Sequence, residues 1–202
     1  MEQSKVDLVN RCLLSIGEAP IEDTTVLDTI PLGTDVDIAK RMVEDTIRDV
    51  LVIGWYFNMD YDYELVPDTN GFITVPPNVI RIDFGETEFR RQLVLRNGKI
   101  YNVIDNTYVI GQPVVADLFY LVAVEELPIP AYEYIANRAA RKFQERVIGS
   151  SDLSRITKSD ELDALVSLQR IQMQTQDYSL IRGSRIHNGY LIAGLYKSRG
   201  RR

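Results

Sequence analysis

Between Met59 and Leu65 the chain reads Met-Asp-Tyr-Asp-Tyr-Glu-Leu, so Asp60, Asp62 and Glu64 alternate with Tyr61 and Tyr63. On a strand of period two, the three acids share one face and the two tyrosines the other. A pair of suitably spaced carboxylates is the minimum equipment of a glycoside hydrolase. The simpler reading is a solvated acidic face over a tyrosine-lined packing face. Glu125-Glu126, next to Pro128, reads as a polar strand end. Trp55-Tyr56-Phe57 could stack on a sugar or a base, but after a long helix it reads first as a core plug at a helix–sheet junction. Other chemistry has fewer carriers. His187 is the only histidine, far in sequence from Cys12 and from any serine in a nucleophile-elbow setting, whereas a Ser-His-Asp or Cys-His device needs a positioned imidazole. No Walker A run, dinucleotide glycine fingerprint or pair of metal-ligand histidines occurs. The lone Cys12 cannot close an internal disulfide or build a multi-thiolate metal site, and a free thiol fits a reducing compartment. Its helical spacing from Leu8 and Ile16 makes it a small buried hydrophobe. These readings assign no catalytic, cofactor-binding or metal-binding residue and call for no cofactor.

Charge is distributed unevenly. The 202 residues hold 23 Lys plus Arg against 29 Asp plus Glu, a formal net charge of −6, with 45% hydrophobic residues. That composition is ordinary for a globular protein, and no apolar run approaches the roughly 20 residues a membrane helix needs. The opening MEQSKVDLVN lacks a basic segment followed by an apolar one, so neither membrane insertion nor Sec export is expected. From Arg182 to Arg202 there are six basic residues and no acid, which leaves 17 basic against 29 acidic groups before them, a body of −12 joined to a tail of +6. The body should repel nucleic acid and anionic membranes, while the tail should seek an acidic surface or a phosphate backbone. The closing Arg199-Gly200-Arg201-Arg202 could touch nucleic acid by charge alone, without the aromatic interleaving of a specific binder.

Hydrophobic spacing supplies the elements that must hold these groups. Val6, Val9, Leu13 and Ile16 predict an amphipathic helix over 4–16, with Ser4 and Asp7 as a capping box and Gly17 as a stop. Asp35 can cap a second helix carrying Val36, Ala39, Val43, Ile47 and Val50, up to Gly54. Strands are then expected at 61–66, 72–75, 79–83, 92–95, 99–104 and 114–122, with Asn97-Gly98 as the two-residue turn of a hairpin. Helical period returns after Leu127-Pro128-Ile129-Pro130, where Ile135, Ala139, Phe143 and Val147 form a stripe ending at Gly149. A fourth helix, about 153–178, carries Leu162, Leu165, Leu168 and Ile171 on a thin apolar face, as if part of it left the domain. The expected fold is therefore α+β: a four-helix bundle core with an antiparallel β insertion between helices 2 and 3, and an extended C-terminal helix and tail. The corresponding units are a helical hairpin (1–54), the β insertion (55–126), a second helical pair (127–178) and a basic arm (179–202).

Five segments together resemble a known family: Val9–Ile21 (VNRCLLSIGEAPI), Gly54–Asn58 (GWYFN), Leu65–Asp83, Arg96–Asn102 (RNGKIYN) and Glu126–Gly149. In this order they are similar to tail tubular protein A of short-tailed podovirus phages, with the resemblance covering roughly residues 6–178. Asn102 stands where relatives usually carry Asp. The resemblance implies a structural virion protein and no enzyme: a dodecameric adaptor ring between the portal and the nozzle of tail tubular protein B, with tail fibres docking nearby. Genomic DNA would pass through its lumen without specific binding. It also implies a place in the virion tail, reached from the host cytoplasm during assembly. In that setting Arg182, Arg185, Tyr190, Leu191 and Tyr196 are expected to contact the portal, and Arg96, Lys99 and Tyr101 the nozzle or fibres. Two other functions remain open: a tail-associated glycan hydrolase using Asp60, Asp62 or Glu64 on host surface polysaccharide, and a nucleic-acid-binding module acting through the tail.

Overall fold

Helix α1 begins where Ser4 caps it, the Ser4 Oγ accepting a hydrogen bond from the Asp7 N–H at 3.2 Å, and runs over Lys5–Ser15. The computed structural model describes residues 4–22, 31–85 and 92–181, with the side chains of 151–156 and 176–181 left out. Helix α2 spans Asp35–Leu51, but its cap is Thr34 rather than Asp35: the Thr34 Oγ1 accepts from the Asp37 N–H, and Asp35 is the first helical residue. A carboxylate there still favours the positive end of the helix dipole. The β-region contributes β1 (Met59–Leu65), β2 (Val79–Asp83), β3 (Leu93–Arg96), β4 (Lys99–Asn102) and β5 (Val114–Tyr120). A short 3-10 turn, Val124–Glu126, leads into α3 (Ile129–Val147), which carries Pro130 in its first turn. Helix α4 covers Ser151–Ile181, a length of about 46 Å at 1.5 Å per residue.

The chain is thus α+β, with four helices and antiparallel sheets among its described residues. Strand β5 lies between β1 and β2 in a three-stranded sheet, and β3 pairs with β4 in a hairpin. Asn97 and Gly98 both take positive φ, 50° and 70°, as a type I′ turn demands. The expected strand at 72–75 does not form. Phe72 and Thr74 make only isolated bridges, to Val109 and Lys99, because Pro76 and Pro77 follow at once and cannot donate to a ladder.

Two apolar clusters result. The helical one joins Leu8, Val9, Cys12 and Leu13 of α1 to Val43, Ile47 and Leu51 of α2 and to Ile135, Ala139 and Phe143 of α3. The other gathers Leu65, Ile73, Leu93, Ile100, Val114 and Leu118 between sheet and hairpin. Helix α3 packs against each of the other three helices. Three expected stripe positions fall outside these clusters: Val147 and Leu162 are exposed and Ile171 is half-buried. Leu162 sits about 100° around α4 from Glu161, which faces α3.

The passage from α2 to the sheet turns on Gly54, at φ +92°. A Cβ there would strike the Phe119 ring and lie 2.7 Å from the Met59 sulfur. Gly54→Ala combines a left-handed backbone with overpacking and is expected to cost about 2–5 kcal/mol. Urea unfolding checks this; a loss below 1 kcal/mol would show that Phe119 repacks freely.

Candidate functional site

Immediately after Gly54 the chain forms the junction between the helices and the sheet. Trp55 is 2% exposed, and its indole N–H donates to the Val50 carbonyl at 2.8 Å. It is the core plug its position suggested. Its backbone N–H donates to Asn58 Oδ1, while Asn58 Nδ2 donates to the carbonyls of Leu51 (2.8 Å) and Tyr120 (2.9 Å). The Asn58 carbonyl in turn accepts from the Tyr120 N–H. A buried amide thereby ties the end of α2 to the end of β5. Sequence reasoning passed over Asn58, although a polar residue directly after Trp-Tyr-Phe was a signal for such a clasp.

Beside the clasp opens a cleft of about 350 Å³, lined by Phe57, Asp60, Asn78, Tyr120 and Glu126 among others. Burial pushes the Tyr120 phenol up to about 12, and its hydrogen bond with the Asp60 carboxylate adds to the shift. Asp60 and Glu126 come from separate elements, and none of the described lysines and arginines forms an ion pair with either. Glu125 and Glu126 themselves sit in the 3-10 turn, exposed.

Strand β1 does not present its three acids together. Asp60 pairs with Leu118 and Tyr63 with Ala116, so Tyr61 and Asp62 together oppose Asp117 in a β-bulge. Asp62 takes φ +51° and donates its N–H to Asp117 Oδ1 at 3.0 Å. The extra residue inverts the alternation: Asp60 lies on the side of Leu118 and Ala116, whereas Glu64, opposite Val115, lies on the other. The expected shared acidic face is absent. The tyrosines are not a buried packing face either, since Tyr61 and Tyr63 are 49% and 43% exposed.

The β3–β4 hairpin does bring Arg96, Lys99 and Tyr101 together. Arg96 pairs with Lys99 and Val94 with Tyr101, placing all three on the face opposite Leu93 and Ile100, which are buried. The Arg96 guanidinium lies 4.3 Å from the Tyr101 ring centre, the Lys99 ammonium 4.7 Å from that of Phe72. Tyr101 also meets Tyr108 edge-on at 4.8 Å. Asn102 Oδ1 accepts from the Ile104 and Asp105 N–H groups, a role open to an aspartate, but its amide also donates to Asp105 Oδ2 at 2.7 Å. An aspartate in its place would face Asp105 with like charge.

Helix α4 is held largely by polar contacts. Glu161 is 7% exposed and pairs with Arg138, at 3.1 Å, and with Arg141 Nε. That bond, first among its causes, raises the Arg141 pKa. Further along, Gln172 Oε1 accepts from the Tyr56 N–H at 2.8 Å, leaving its buried Nε2 without a partner. Cys12 behaves as a small hydrophobe, burial alone pushing its thiol to about 12. Among the described residues no cluster of three potential metal ligands occurs, and no helix is long and apolar enough to cross a membrane. Arg182, Arg185, His187, Tyr190, Leu191 and Tyr196 lie outside the described residues.

Against known families, the model described as tail tubular protein matches residues 6–178, from α1 through nearly all of α4. The chain belongs to the tail tubular protein family. It is also similar to tail tubular protein A of Klebsiella phage KP34, at 25% identity over 134 residues, which covers 66% of this chain and 67% of that relative. Membership in the tail tubular family makes the chain a structural protein of a phage tail.

Two outcomes follow. Glu161→Gln leaves Arg138 without its counter-charge and Arg141 with Glu145 alone, and is expected to cost about 2 kcal/mol, between the values for exposed and fully buried pairs. Hydrogen exchange should accelerate in α4 before α1; uniform acceleration would refute the selective role. For Tyr120, the folded pKa stands above the unfolded value of 10.0. The folded state therefore retains a proton that the unfolded state gives up, so the stability involved is intact below pH 10 and is lost as pH climbs towards 12. Tyr120→Phe should flatten the alkaline fall of the denaturation midpoint, and an unchanged slope would reject this origin.

Proposed function

We propose that this tail tubular protein is the adaptor subunit joining the portal to the tail nozzle. The family match over residues 6–178 carries the reading, because it spans the whole described fold rather than one motif. In this reading residues 1–54 and 127–178 pack as a four-helix bundle that forms the ring scaffold, twelve copies to a ring. Residues 55–126 are an insertion whose hairpin turns Arg96, Lys99 and Tyr101 towards tail tubular protein B or the fibres. Residues 179–202 form the arm that meets the portal through Arg182, Arg185, Tyr190, Leu191 and Tyr196. Genomic DNA passes through a lumen lined by the surplus acids of the body, which repel phosphates instead of adding an affinity at each step. The subunit acts in the virion tail after assembly in the host cytoplasm.

Helix α4 supplies a surface suited to a neighbouring subunit. Leu162, Val166 and Met173 are 51%, 53% and 58% exposed, and spacings of 4 and 11 residues place them within about 40° of one another around the helix. Large apolar side chains left in water along one side of a helix suit an interaction face. Replacing two of its members, Val166→Glu with Met173→Glu, should leave monomer stability within about 0.5 kcal/mol, as for exposed sites. The same change should abolish ring formation when light scattering follows the purified chain mixed with portal. Rings of undiminished size would exclude this face from the subunit contact, and a wild-type chain that never associates in the presence of portal would overturn the adaptor reading.

A further inference from the structure

We propose that the cleft beside Asn58 is an arginine receptor, and that its occupant is the same chain's basic segment 182–202. The cleft, about 350 Å³, is lined by the acids Asp60 and Glu126, by Asn78 and by the aromatic residues Phe57 and Tyr120, among others. Neither acid pairs with a described cation. Two carboxylates repel an anion, and an apolar group would strip them of water without compensation. No third acid, histidine or cysteine joins them to complete a metal site among the described residues. A guanidinium fits on every count: its planar fork donates to carboxylate and amide oxygens, has no acceptor to leave unpaired, and stacks on an aromatic face.

The occupant follows from charge and reach. Residues 182–202 hold Arg182, Arg185, Lys197, Arg199, Arg201 and Arg202 without an acid. Helix α4 passes beside the cleft, since Gln172 bonds to the backbone of Tyr56, the neighbour of the lining residue Phe57. The helix ends at Ile181, nine residues or about 14 Å beyond Gln172. The 21 residues that follow span at most about 70 Å when extended, enough to double back. A tethered arginine also meets its receptor at an effective concentration in the millimolar range, so modest contacts suffice. The consequence is a parked arm: its basic residues are covered by their own subunit until a more strongly acidic surface displaces them. This stands whether or not the displacing partner is a portal.

Limited tryptic digestion of the full chain tests it, with intact mass following cleavage after Arg182 and Arg185. Asp60→Asn with Glu126→Gln keeps both shapes and preserves an acceptor for the Tyr120 hydroxyl, and circular dichroism verifies the fold. Cleavage should run about fivefold faster in this double variant than in wild type at low salt, the scale of one weak exposed contact. High salt should bring the wild type to the variant's rate. Equal rates at low salt would overturn the proposal. Glu64→Gln, an exposed acid outside the cleft, should change nothing; an equal acceleration would show general charge and not a site. Protection that fades on dilution would overturn the same-chain assignment in favour of a neighbouring copy.

Discussion

The fold depends on one buried amide. Asn58 is 1% exposed, and its side chain accepts from Trp55 and donates to Leu51 and Tyr120. Leu51 closes α2, and its carbonyl belongs to the last turn of a helix, where no intrahelical donor remains. Tyr120 closes β5, the central strand. By satisfying both ends at once, Asn58 fixes the angle at which helices meet sheet. An apolar residue of the same size would strip the Trp55 N–H of its acceptor and take a donor from each of the Leu51 and Tyr120 carbonyls, at about 1–3 kcal/mol for a buried group left unpaired. Trp55 can fill the helical core only because this clasp turns the chain within three residues.

Cross-helix charge pairs then specify how the helices sit. Each packed helix pair carries one: Lys5–Glu44 joins α1 to α2, Arg11–Glu133 joins α1 to α3, Lys142–Asp49 joins α2 to α3, and Arg138–Glu161 joins α3 to α4. The first three are a quarter to a half exposed, and pairs so open to solvent add little energy. Their effect is on register, because an apolar stripe alone tolerates sliding by a turn. Arg11 shows this best, with two bonds of 2.6 and 2.7 Å to Glu133 that allow a single orientation.

What could be read from the sequence follows a physical line. Periodicity reports burial, so the four helices and the sheet strands other than 72–75 were visible, as was the Asn-Gly turn, whose positive φ values few residues tolerate. The bulge in β1 was not, because Asp accepts φ above zero without advertising it, and one extra residue exchanges the two faces of everything beyond it. Thr34 and Asp35 are both good caps, and composition alone could not rank neighbours. Glu161 and Asn58 were hidden for a shared reason: a polar residue in a sequence looks solvated until a distant partner, 20 positions away for Glu161 and 62 for Asn58, is brought to it. Of the residues assigned to contacts, only the hairpin trio falls among the described side chains, where the pairing of β3 with β4 puts all three on one face.

Helix α4 shows how stability is divided between the subunit and what it joins. Leu168 is its one fully buried apolar residue among those described; Ala164 and Leu165 pack half-buried against the same core, and its other buried anchors, Glu161 and Gln172, are polar. A helix of about 46 Å so lightly embedded opens at lower free energy than α1 or α2, whose apolar faces are buried along their length. Such an element gains most from a neighbour, since covering Leu162, Val166 and Met173 adds the apolar burial the isolated chain lacks. Association would then complete α4 without reorganising the cores beneath it. In the proposed ring, the conformational cost of joining would fall on the element least needed to keep the clasp closed.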